Sequence, residues 1–140
     1  IGVYLSLETI MDNWYNTIEY QTHVAEKLEA LGETKYDLEA YEFALEAYQY
    51  APEYHENVPA PSPDLRLTYN VSAFNFAYCY VLHAKEVFED PRDTLSSWGI
   101  TSSMDIGEIV YGLVGVGLLD QSPDDRKEQF EGLFLVKDVL

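Results

Sequence analysis

From Leu7 onward, apolar residues recur at steps of three, four or seven: Leu7, Met11, Trp14, Ile18, Ala25, Leu28 and Leu31. That spacing predicts one long helix of up to about 24 residues with a single apolar face. Gly32 is placed to stop it in the left-handed conformation. Ahead of it, residues 1–7 alternate loosely and suit a short strand or an extended arm. A second helix is predicted over about 36–51, with Leu38, Tyr41, Leu45 and Tyr48 as its apolar stripe. Glu39, Glu42 and Glu46 fall on an adjoining face, with no Lys or Arg at i±4 within that helix to pair with them. Tertiary packing must therefore carry this helix, leaving the acidic face to solvent or to a partner.

Pro52, Pro59, Pro61 and Pro63 then fill a stretch over 52–64 that excludes regular helix or central strand. It reads as a flexible crossover. A third helix is predicted over about 72–88, with Phe76, Tyr80, Val81, Ala84, Val87 and Phe88 as a wide apolar set suited to a central position. Asp90-Pro91 ends it, and a short helical connector over 91–97 leads to Trp98-Gly99-Ile100.

The final third is the most organised. Thr101, Ser102 or Ser103 can cap a helix whose first turn carries Asp105 and Glu108. Ile106, Ile109, Val110, Leu113 and Val114 form its stripe, and Gly117 ends it. Ser122-Pro123-Asp124-Asp125 has the form of another helix start. Residues 130–136 are expected to return as a strand beside 118–121, giving a small β-ribbon. The fold class expected is mainly α: a compact helical domain with that ribbon, a winged-helix-like C-terminal part and a long N-terminal helix. One domain over 1–140 is expected, with an arm and helix over 1–35 and a core over 36–140; 140 residues suffice to bury a real core without staples.

Composition changes this picture in one respect. Apolar residues at 47% and charged residues at 24% are ordinary for a globular chain, but the net charge is −17, against a magnitude of about 2–8 for a small soluble domain. Such a field repels phosphate backbones and anionic membrane surfaces. Nucleic acid is thus not an expected partner, nor is direct membrane insertion. The longest apolar run, 106–119, contains Glu108 and is too short to span a bilayer. The acidity suits a solvated surface, adaptation to high salt, or a docking face for a basic partner.

Cys79, the only cysteine, sits among apolar neighbours and is expected to be a buried structural thiol. It excludes an internal disulfide framework and points to a reducing, cytoplasmic compartment. The chain opens at Ile1 rather than Met, which suggests processing, truncation or a partial chain.

Chemistry-bearing constellations are few. His23 has Glu19 and Lys27 at i±4, too few ligands for a metal site, and His55 lies on the proline-rich stretch. Cys79, His83 and Glu86 share a helical face and form half a metal site at best; a packed thiol beside a hydrogen-bonded histidine is the simpler reading. Gly112-x-x-Gly115-x-Gly117 does not follow a strand and open a helix, so it is no dinucleotide fingerprint; close approach of another backbone explains it. The Asp120, Asp124, Asp125 and Glu128 group lacks the spacing of a calcium loop. Twelve tyrosines are unusual. Tyr41, Tyr48, Tyr80 and Trp98 fall in apolar patterns and are expected in the core, while Tyr50, Tyr54 and Tyr69 flank the prolines and are candidates for a contact patch.

Several blocks recur in a known order: Tyr36…Ala40-Tyr41-Glu42-Phe43…Leu45, Val71-Ser72, Trp98-Gly99-Ile100, Asp105-Ile106-Gly107-Glu108-Ile109-Val110-Tyr111, Gly117-Leu118-Leu119 and Asp125…Phe130. Over about 36–136 the chain resembles the Minf-type family of bacterial conserved hypothetical proteins, the Asp-Ile-Gly-Glu-Ile-Val block being the specific part. The family shows a His where this chain has Asn70, and Leu-Leu where it has Phe76-Ala77. The resemblance implies a small soluble bacterial protein of unassigned function and supplies no catalytic residues.

The leading expectation is a non-enzymatic interaction or accessory subunit of a larger assembly, docking on a protein partner through Glu39, Glu42, Glu46, Tyr50, Tyr54 and Tyr69, with no metal or other cofactor. A homo-oligomer is compatible with it. The alternatives are a winged-helix-like nucleic-acid-binding regulator, opposed by the absence of Lys and Arg over 103–116, and a small metal-dependent hydrolase around His83 and Cys79.

Overall fold

The best-organised segments are helices closed by their own side chains. A computed structural model describes residues 1–2, 4–5, 18–51, 66–67 and 70–140. Helix α1 (Ile18–Glu29) is followed by a turn through Gly32 at φ +67°. Helix α2 (Leu38–Tyr50) starts at Asp37, whose carboxylate accepts from the Glu39 backbone N–H at 3.0 Å. Helix α3 (Ala73–Val87) starts at Ser72, whose Oγ accepts from the Asn75 N–H at 3.2 Å. Asp90 and Pro91 open the short helix α4 (Pro91–Ser97). Helix α5 (Ser103–Gly115) gives way at Val116 to Gly117 with φ +83°, the left-handed stop its sequence predicts. A 3-10 turn (Lys127–Phe130) and a last short helix, α6 (Val136–Val139), complete the described chain.

Helix dominates, as the apolar spacing predicts. Helices α2 and α3 pack against each other, and α5 packs against both and against the 3-10 turn. Tyr80, Phe76, Phe130, Ile106, Ile109 and Leu113 are fully buried at the centre. Burying such a side chain is worth about 1.5–3 kcal/mol, which holds helices too short to be stable alone. Across the core, the Tyr80 hydroxyl donates to the Ala40 carbonyl at 2.8 Å, joining α3 to α2. The Arg92 guanidinium donates to the carbonyls of Lys137 and Leu140 at 2.6 and 2.7 Å and ties α6 to α4.

The last third departs from its expected form. Residues 118–121 and 130–136 do not pair as a ribbon: Asp120 bridges to Gly2, and Leu135 bridges to Ser102. Ser103, buried at the start of α5, explains the second path. Its Oγ donates to the Phe130 carbonyl at 2.6 Å and accepts from the Leu133 N–H at 3.1 Å. That pins 130–134 to the α5 N-terminus, so these residues pair there rather than with 118–121. Nor does Ser122-Pro123-Asp124-Asp125 start a helix. Asp125 folds back to accept from the Ser122 N–H and Oγ, at 2.8 and 2.9 Å, closing a turn, and the 3-10 turn begins after Arg126. Strand pairing occurs elsewhere, between β1 (Tyr4–Leu5) and β2 (Arg66–Leu67), antiparallel with Tyr4 opposite Leu67. The first half of the predicted N-terminal helix, and the whole proline-rich stretch over 52–64, lie outside the described residues.

Candidate functional site

Helix α2 presents two unlike faces. Ala40, Tyr41, Phe43, Ala44, Leu45, Ala47 and Tyr48 are buried, a broader set than a single stripe, while Leu38 is half exposed at the helix start. Glu39, Glu42 and Glu46, at i, i+3 and i+7, stand exposed along one ridge. Neither Glu39 nor Glu42 has an ion-pair partner among the described residues. Glu46 has one contact: its Oε2 lies 2.7 Å from His83 Nε2.

His83 is buried on α3 with its ring between two others. The Phe43 ring stacks on one contact at 5.1 Å and 27°, and the Tyr50 ring on another at 4.6 Å and 23°. Phe43 is the hub of a wider aromatic cluster, with Tyr80 and Phe88 each at 5.1 Å and Trp98 at 5.5 Å. Phe88 and Trp98 meet edge to face at 5.5 Å and 83°.

A groove of about 440 Å³ opens beside this cluster. Phe43, Val87, Phe88 and Trp98 line its apolar part, and Glu39, Glu42 and Glu46 line the rest. No cation lines it. Phe88 closes α3, and Trp98 closes α4 with its backbone N–H bonded to carbonyls of that helix. Both rings are thereby held at helix ends against Phe43. On the other side of the ridge, Glu42 and Glu46 also border a groove of about 300 Å³ between α1 and α2, with Tyr20, Val24 and Gln49. Burial raises the Tyr20 phenol pKa, partly offset by a hydrogen bond with Gln49.

A second polar cluster sits at the N-terminus of α5. The Tyr36 hydroxyl lies 2.6 Å from Asp105 Oδ1 and 2.5 Å from Glu108 Oε2. Lys35 Nζ lies 3.6 and 3.3 Å from the same two oxygens. The other oxygen of Asp105 accepts from the N–H groups of Thr101 and Ser102 at 2.9 and 3.1 Å. Burial disfavours the Asp105 carboxylate, but the bonds from Tyr36, Thr101 and Ser102 outweigh it and hold its pKa below the ordinary value. Burial, then the two carboxylates, push the Tyr36 phenol well above its usual range. A phenol so disposed holds its proton and donates it; this cluster fastens the α2 entry to α5.

The residues singled out by sequence are thus divided. Glu39, Glu42 and Glu46 converge on the groove, and Tyr50, 41% exposed, covers His83 beside them. Tyr54 and Tyr69 lie outside the described residues. Tyr41, Tyr48, Tyr80 and Trp98 are buried as expected. His83 bonds Glu46 on the neighbouring helix rather than sharing a ligand set with Cys79 and Glu86. Burial pushes the Cys79 thiol up to about 11, which keeps it protonated and unreactive. Gly112 admits the Tyr41 ring, whose Cε1 would lie 3.0 Å from an added Cβ; a side chain, not a second backbone, approaches there. Val87, Phe88 and Trp98 were legible only as core positions. Their shared groove depends on how α3 and α4 meet, which periodicity does not encode.

No family model, curated protein or solved structure matches the chain. Among the described residues, no helix is long and apolar enough to cross a membrane.

Proposed function

We propose that this chain is a non-enzymatic accessory subunit that docks on a protein partner through the acidic ridge of α2. The observation that carries this reading is the ridge itself. Glu39, Glu42 and Glu46 stand in line beside an aromatic-lined groove, and the first two have no cation partner among the described residues. Like charges at i, i+3 and i, i+4 each cost a few tenths of a kcal/mol. A partner that brings cations relieves that repulsion only when bound, so binding and folding reinforce each other.

The winged-helix-like alternative has less support. Helix α5 carries no Lys or Arg, and phosphate contacts need them. A hydrolase around His83 and Cys79 also has less support, because His83 Nε2 is engaged by Glu46 and the thiol is buried. Kinship with the Minf-type family belongs to the same proposal and adds no activity to it.

The test is recovery of the tagged chain from its source cells at low ionic strength, followed by native mass measurement. The wild-type chain should carry a stoichiometric partner that E39Q/E42Q/E46Q loses while keeping its fold. A chain recovered free, or a partner retained in full by the triple variant, overturns the reading.

A further inference from the structure

We infer that the groove between α2 and the ends of α3 and α4 seats a cationic side chain, arginine or lysine, from a basic segment of the partner. This inference rests on the docking reading and specifies the chemistry of its contact. The groove is not simply acidic. Phe43, Phe88 and Trp98 supply three aromatic rings, Val87 adds an apolar lip that is 51% exposed, and the carboxylates of α2 stand on one side only.

That combination selects the occupant. A purely apolar segment would fill the aromatic part and leave carboxylates facing an apolar surface, which desolvates them without compensation. A second copy of this chain brings its own charge of −17 and meets repulsion. An arginine or lysine satisfies both halves. Its aliphatic stem lies along Val87 and Phe88 while its charged head meets the carboxylates. A guanidinium can also lie against the partly exposed Phe88 ring, which the buried Phe43 and Trp98 rings back. Glu39 to Glu46 spans roughly 10 Å of helix axis, more than one cation covers. The occupant is therefore a short segment with at least two basic residues, one seated in the groove and another on the ridge.

Among the described residues, no cation lines the groove. Lys35 is directed to Asp105 and Glu108. Arg92 is bonded to the carbonyls of Lys137 and Leu140. Neither lines the groove.

The experiment is an NMR titration of the full isotope-labelled chain with a short Gly-Arg-Gly-Arg-Gly peptide, and with its citrulline counterpart, which keeps the shape and removes the charge. The Arg peptide should shift the Trp98 indole N–H and the Phe88 and Val87 signals, and its affinity should fall as salt rises. The citrulline peptide should bind at least roughly tenfold more weakly. E39Q/E42Q, at exposed positions, should weaken the Arg peptide roughly tenfold without altering the free spectrum beyond its own neighbours. If the Arg peptide shifts only exposed α2 signals and leaves Trp98 and Phe88 unmoved, the groove is not its seat, although the acidic ridge still docks a partner. Equal binding of the two peptides, or failure of the Arg peptide to bind at low salt, overturns the inference; partner recovery sensitive to E39Q/E42Q/E46Q would still uphold the docking reading.

Discussion

Tyr36 joins segments sixty-nine residues apart through one hydroxyl, lying 2.6 Å from Asp105 and 2.5 Å from Glu108. Hydrogen bonds to charged groups are worth about 1.5–3 kcal/mol each when their loss leaves a buried acceptor unmet. Tyr36→Phe should therefore lower unfolding free energy by about 2 kcal/mol, read as a shift in urea midpoint with the slope unchanged. An unaltered midpoint would show that solvent already satisfies these carboxylates. Asp105 gives a pH signature as well. Its folded pKa lies below 3.8, so the ionised carboxylate contributes stability that is fully present above 3.8 and is lost as pH falls through the folded value. Asp105→Asn should flatten that part of the acid-unfolding profile; an identical acid limb in the variant would contradict the assignment.

Among elements, α5 shows best how far the sequence could be read. Its boundaries, its acidic first turn and its Gly117 stop were all visible in local chemistry, because caps and glycines act within a few residues. The Asp-Ile-Gly-Glu-Ile-Val block resolves into parts with separate tasks. Asp105 caps, Ile106, Ile109 and Val110 fill the core, Glu108 accepts from Tyr36, and Gly107 clears space. A Cβ on Gly107 would stand 2.6 Å from Phe130 Cβ and 2.7 Å from its Cγ, and Phe130 is fully buried. Overpacking of about 1–3 kcal/mol should exceed the ~1 kcal/mol that alanine gains over glycine in a helix. Gly107→Ala should thus melt lower than wild type, whereas Gly115→Ala, with nothing within 4 Å, should not. A Gly107→Ala protein as stable as wild type would show that Phe130 can move.

The expected ribbon does not form, for a physical reason. The apolar residues of 118–121 and 130–136 have strand-like patterning, but patterning does not choose a strand's partner. Ser103 and Ser102 claim 130–135 through contacts about thirty residues distant in sequence. The groove was hidden in the same way. Glu39, Glu42 and Glu46 were visible as a ridge, while Val87, Phe88 and Trp98 looked like plain core until the ends of α3 and α4 were set beside α2.

At the scale of the whole molecule, charge dominates. A net −17 on 140 residues repels itself, and salt shortens the reach of that repulsion from about 10 Å at 0.1 M to about 3 Å at 1 M. Melting temperature should rise with sodium chloride over this range, by about 2–4 °C for each kcal/mol of repulsion removed. A flat or falling melting curve would mean the acids are already compensated within the fold. On the proposed reading, the same excess favours a basic protein partner over a nucleic acid or a second copy of the chain.

On the proposed reading, a basic partner meets the α2 ridge at its aromatic groove. The most direct measurement places a photo-crosslinking residue at Val87, the exposed lip of that groove, and a control at Leu135, exposed elsewhere. Irradiation in the source cell should link position 87 to one partner through an Arg- or Lys-rich peptide, identified by mass spectrometry, and the link should disappear with E39Q/E42Q/E46Q. Crosslinks that form equally from position 135, that map to an acidic or apolar peptide, or that survive the triple substitution would contradict it.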